Sequence, residues 1–146
     1  DAIKHPFDIP YPWVQEDCDA LAKIIKETDA SLVVSSDWKK YYTINQLKSI
    51  FLHYGIPHWS VIDTTTHFNP RKKLSSSTEW DRACEIHSWV KTFKPEHWVA
   101  IDDLPLKSSF KSLGITQWRH IQVDGDYGIG GKLRDKVDEV IKKLIK

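Results

Sequence analysis

Methionine is absent from all 146 residues, position 1 included. Asp1 is therefore not expected to be a translation start: either an N-terminal piece precedes it or modified methionines have dropped out of the sequence. Cysteine is nearly absent. Cys18 and Cys84 are the only two, and they lie far apart on helix-patterned segments, in neither a zinc-ligand spacing nor a Cys-x-x-Cys pair, so reduced, buried thiols are expected. Long apolar runs are missing too, which excludes a membrane span, and no charged stretch leads into an apolar one as in a signal peptide. A cytoplasmic protein with no membrane partner is the expectation.

Charge of a single sign is also lacking. With 21 Lys+Arg against 20 Asp+Glu the net charge is +1, so nothing draws the whole molecule to nucleic acid, and any such binding needs a local patch. His-Glu-x-x-His and Gly-x-Ser-x-Gly do not occur, which argues against a zinc protease and a serine hydrolase. His53 and His58, five residues apart around a helix stop, read as surface or packing residues. The segment "GDYGIGG" lacks the Lys-Ser/Thr of a P-loop.

What is present suits one ordinary globular domain over 1–146: 40% hydrophobic and 28% charged residues. Residues 1–14, with three prolines, read as an extended loop. Helical spacing runs from Gln15 to about Thr28. "SLVVSS" then reads as a buried strand. Thr43 with Gln46 three residues on forms a capping box for a helix that stops at Gly55. "HWSVID" is a second strand, followed by a polar, basic loop over 64–78 containing Arg71, Lys72 and Lys73. A helix from about Glu79 to Phe93, the strand "HWVAID", the short helix "LKSSFKSLG" and the strand "RHIQVD" come next. A closing amphipathic helix carries Leu133, Val137, Val140, Ile141 and Leu144 on one face. Apolar strands alternating with helices predict an α/β fold, a three-layer α/β/α sandwich around a parallel sheet.

In such folds ligands bind beyond the carboxyl ends of the strands. Those ends are Ser35-Ser36-Asp37, Asp63-Thr64, Asp102-Asp103 and Asp124-Gly125-Asp126, with Lys39, Lys72 and Arg82 nearby. Oxygen ligands beside cations suit Mg²⁺ and a phosphate. For a single strand end, turn chemistry is the competing explanation, more so at Asp124 and Asp126. Two successive carboxylates at Asp102 and Asp103 exceed what a cap needs.

The order "SLVVSSDWK", "DRACEIHSWV", "HWVAIDD" resembles the haloacid dehalogenase (HAD) superfamily, closest to small phosphatase-like domains of phage and RNA-repair proteins. The resemblance spans roughly residues 15 to 145. It implies a catalytic role for Ser36, which would hydrogen-bond the transferring phosphoryl group. Arg82 would offset developing negative charge, with Lys72 or Lys73 as the alternative, and Asp102 and Asp103 would hold Mg²⁺. The implied function is a Mg²⁺-dependent phosphohydrolase acting on a phosphate monoester, a phosphorylated small molecule or nucleotide, or a nucleic-acid end. The alternative is a catalytically degenerate domain that binds a ligand or partner.

One family motif is missing: no Asp-x-Asp-Gly follows an apolar strand. Asp8 in "PFDIP" echoes half of it, but Pro6 and Pro10 disfavour a central strand, since proline cannot join the ladder. If the family strand order holds, the absent strand lies between "SLVVSS" and "HWVAID". An empty slot there would leave backbone groups unpaired at roughly 1–3 kcal/mol each. The strand and its carboxylates are thus expected ahead of residue 1.

Overall fold

The computed structural model describes residues 14–35, 42–66, 78–123 and 132–145. Within α1 (Gln15–Thr28), Cys18, Leu21, Ile24 and Ile25 recur at one-turn spacing and are buried together. The helix ends where Asp29 adopts a left-handed conformation (φ 57°) and returns its N–H to Ile25 O. Strand β1 (Leu32–Val34) follows.

The capping box of α2 (Ile44–His53) forms as the sequence predicts. The Gln46 N–H donates to Thr43 Oγ1 at 3.2 Å, and the Thr43 N–H donates to Gln46 Oε1 at 2.8 Å. At the other end the Ile56 N–H reaches Phe51 O and the Gly55 N–H reaches Leu52 O. This paired closure requires a positive φ at the intervening residue, and Gly55 supplies it at 86°.

Strand β2 (Val61–Thr64) is shorter than "HWSVID", because a 3-10 turn over His58–Ser60 takes up its first residues. Helix α3 (Thr78–Phe93) leads to β3 (Ala100–Asp102), α4 (Lys107–Ser112) and β4 (His120–Gln122). Another 3-10 turn, Gln117–Arg119, likewise shortens the beginning of "RHIQVD". The chain closes with the turn Leu133–Asp135 and α5 (Val137–Ile145).

Both strand pairings are parallel: β1 with β2, and β3 with β4. The architecture is therefore α/β with small parallel sheets, two strands in each among the described residues. One core cluster joins α1, α2 and α5 to Val34, Val61 and Ile121, with Ile101 packed against it. The face predicted for the closing helix, Leu133 to Leu144, belongs to this cluster. A second cluster joins Ala83 and Ile86 of α3 to Ala100 and Phe110. Neighbouring side chains Ala100 and Ile101 thus serve different clusters, as the alternation of a strand dictates. Double-sided burial does not extend to β2, where Ile62 is 50% exposed.

Cys18 and Cys84 are free and buried, as expected. His53 and His58 are exposed. No helix among the described residues is long and apolar enough to cross a membrane.

Candidate functional site

The strand β3 ends on Asp102, and α3 brings Arg82 to it across twenty residues of sequence. Arg82 Nη1 donates to Asp102 Oδ2 at 2.5 Å, and both residues are buried. The other carboxylate oxygen, Oδ1, accepts the Leu104 N–H at 3.1 Å, an Asp turn that bends the chain away from the strand. The Asp102 carbonyl receives the Val123 N–H at 3.0 Å, which ties the end of β3 to the residue following β4. Asp102 is therefore fixed from side chain and main chain together. Asp103 is exposed, and its carbonyl accepts from Gln122 Nε2 at 3.4 Å.

Two successive carboxylates cost least when only one is in water and the other is paired. Burial pushes the Asp102 carboxyl above its ordinary value, and a hydrogen bond with Asp103 acts in the same direction. Arg82 and the Leu104 N–H oppose this by favouring the charged form. A buried arginine and carboxylate at this distance are mutually obligatory, because either one alone would be an uncompensated charge.

The second acidic strand end has a different use. Asp63 Oδ2 accepts Trp89 Nε1 at 2.7 Å and its Oδ1 accepts the Thr64 N–H at 2.8 Å, so this carboxylate staples β2 to α3. The structure brings Arg82, Asp102 and Asp103 together at the end of β3. Ser36, Lys72, Lys73, Arg71, Lys39, Asp37, Asp8, Asp124 and Asp126 lie outside the described residues, as does most of the 64–78 loop.

Treating Arg82 and Asp102 as separate groups, one for charge and one for metal, missed their bond. The signal was the placement of Arg82 in the first turns of a helix leading into the strand that ends on Asp102. The oxygens of Asp102 and Asp103 are the hard donors that Mg²⁺ takes. Among the described residues, however, no group of three His, Cys, Asp or Glu converges.

Parallel strand pairs between helices, with a carboxylate pair at the end of β3, make an α/β domain consistent with a HAD-like fold. The family described as "HAD domain in Swiss Army Knife RNA repair proteins" matches residues 3–132, and the chain belongs to it. No curated protein and no solved structure matches the chain.

Proposed function

We propose that this HAD-type domain is a Mg²⁺-dependent phosphohydrolase of phosphate monoesters, with a terminal phosphate on a nucleotide or nucleic acid as its substrate. The observation that carries the reading is the buried Arg82–Asp102 pair at the end of β3, in a chain matched to a family of RNA repair domains. Asp102 and Asp103 would hold the ion, with further oxygen donors supplied from outside the described residues. Bound there, Mg²⁺ would neutralise phosphate charge.

The chain's own groups have separable tasks. Arg82 holds one oxygen of Asp102 and favours its charged form, while burial, the larger effect, opposes it. Asp103 is the exposed member of the pair. Ser36 would hydrogen-bond a phosphate oxygen, and Lys72 would add positive charge from the polar loop. In the reaction the HAD resemblance implies, one carboxylate of an Asp-x-Asp motif would attack phosphorus while the second, protonated, gives its proton to the leaving ester oxygen. Water then cleaves the acyl phosphate to regenerate the carboxylate and release inorganic phosphate.

The protein, offered 5′- and 3′-phosphorylated oligonucleotides, mononucleotides and sugar phosphates with Mg²⁺, should release phosphate fastest from a nucleotide or oligonucleotide. Equal or faster release from sugar phosphates would refute the substrate assignment. A binding module is the second reading, favoured by the engagement of both Asp102 oxygens with protein donors. It predicts retention of a phosphorylated oligonucleotide with no release.

A further inference from the structure

Trp98 and Trp118 stand at corresponding places ahead of two paired strands. Ala100 pairs with His120 in the parallel register of β3 and β4, so counting back two residues from each reaches Trp98 and Trp118. Neighbouring strands lie about 4.8 Å apart, which sets the two residues side by side at the amino ends of β3 and β4. Asp102 and Asp103 occupy the opposite, carboxyl end of β3.

Arg119 bridges the two rings. Its guanidinium carbon is 5.3 Å from the Trp98 ring centroid and 5.2 Å from that of Trp118, within cation–π range of both. Nη1 donates to Trp98 O at 2.9 Å, which holds the guanidinium in place. From α5, Lys143 Nζ lies 5.5 Å from the Trp118 centroid and 3.1 Å from Glu139 Oε2. Two indoles, a guanidinium and an ammonium thus form one cluster, drawn from the approach to β3, the turn before β4 and the last helix.

Packing does not use this cluster up. Trp118 is 40% exposed. Among the described residues, Arg119 makes no hydrogen bond beyond the one to Trp98 O, and neither the Trp98 nor the Trp118 indole N–H has an acceptor. An exposed indole offers its surface to another flat ring, and the spare guanidinium and indole N–H groups suit phosphate and carbonyl oxygens. A nucleobase with its flanking phosphates answers all of these, whereas an acidic peptide answers only the charges. Inside a duplex both faces of a base are covered by its neighbours, so the matching occupant is a single strand.

We propose that the Trp98–Arg119–Trp118 cluster is a contact site for an unpaired strand of nucleic acid, with a base against Trp118 and phosphates on Arg119 and Lys143. Glu139 restrains Lys143, so Arg119 is the stronger phosphate contact. The site lies at the end of the sheet opposite Asp102 and Asp103, and the inference does not rest on phosphohydrolase activity.

Fluorescence polarisation of an end-labelled, unstructured RNA of about a dozen nucleotides tests this. The RNA carries no terminal phosphate and a chelator is present, which leaves the acidic end out of the measurement. The protein should bind with a Kd of roughly 100 µM or tighter, and more weakly as salt rises. Affinity should fall at least about fivefold when the RNA is annealed to its complement, and likewise in Trp118→Ala, while Trp118→Phe keeps a ring and most of the affinity. Arg119→Gln should flatten the log–log salt dependence by about 0.7, the share of one phosphate on a single strand. By NMR, the indole N–H signals of Trp98 and Trp118, assigned with Trp98→Phe and Trp118→Phe, should shift as RNA is added to the wild-type protein. Where a variant fails to fold, those wild-type shifts decide. Absent binding, equal binding of the duplex or of a glutamate-rich peptide, or unchanged affinity in Trp118→Ala would overturn the site. So would a change of mass in solution on Trp118→Ala, which marks the cluster as a contact between copies of the chain. A protein that binds as described yet releases no phosphate refutes only the proposed activity.

Discussion

Asp102 and Arg82 show how one residue's burial sets the role of its neighbour. A lone carboxylate at the end of β3 could remain in water, but Asp102 is 5% exposed and relies on Arg82 at 2.5 Å. On sequence alone, Asp102→Asn is a conservative change at a metal ligand. With the pair buried, it strips Arg82 of its counter-charge and should destabilise the fold by about 3 kcal/mol or more, read by urea denaturation. Asp103→Asn should cost under about 0.5 kcal/mol, as expected of an exposed site. The thiols behave as inert core groups. Burial raises the Cys18 thiol to about 12 and moves Cys84 upward too. Native protein should therefore not react with a disulfide reagent over minutes, and denaturation should expose both thiols; rapid labelling of the folded state would contradict the packing.

At the scale of elements, local chemistry was legible where it closes within a few residues. The Thr43 capping box and the Gly55 stop need only neighbouring residues, and both form as read. Thr43→Ala should cost about 1 kcal/mol in thermal or urea unfolding, because it orphans the Gln46 N–H. Strand lengths were less legible. The apolar pattern of "HWSVID" and "RHIQVD" is compatible with a 3-10 turn followed by a strand, and the turn is what precedes β2 and β4. The candidate site was readable in part for the same reason. The carboxylates announce themselves in "AIDD", but the Arg82–Asp102 bond depends on how α3 returns to the sheet. The use of Asp63 as a staple depends on Trp89, twenty-six residues away.

For the molecule as a whole, a buried titratable group links protonation to folding. His120 is 4% exposed, neither ring nitrogen has a hydrogen-bond partner among the described residues, and the ring meets Phe110 edge-on. Burial first, then Lys107 and Lys136, hold its value below the ordinary one. The backbone of Ala100 and Leu104 pulls the other way without reaching hydrogen-bond geometry. A depressed histidine is neutral in the folded state. Its contribution to stability is complete above the unfolded value of about 6.5 and is lost as pH falls through the lower folded value. His120→Leu should flatten the fall in unfolding free energy below about pH 6.5, and an unchanged slope would place the acid sensitivity elsewhere. Asp102 acts with the opposite sign. Its raised carboxyl makes the protonated form relatively more favourable in the folded state, so its contribution grows as pH falls toward the ordinary carboxylate range.

The central claim, that an acidic pair at the end of β3 serves phosphate-ester hydrolysis, is tested most directly with Asp103→Asn, which spares the buried ion pair. Phosphate release from p-nitrophenyl phosphate by the protein should require Mg²⁺ and stop with a chelator. The variant should lose at least about a hundredfold of that rate while its unfolding midpoint stays within about 2 °C of wild type, as a surface substitution allows. Turnover unchanged in the variant, or no Mg²⁺-dependent release by the wild-type protein, would contradict the account.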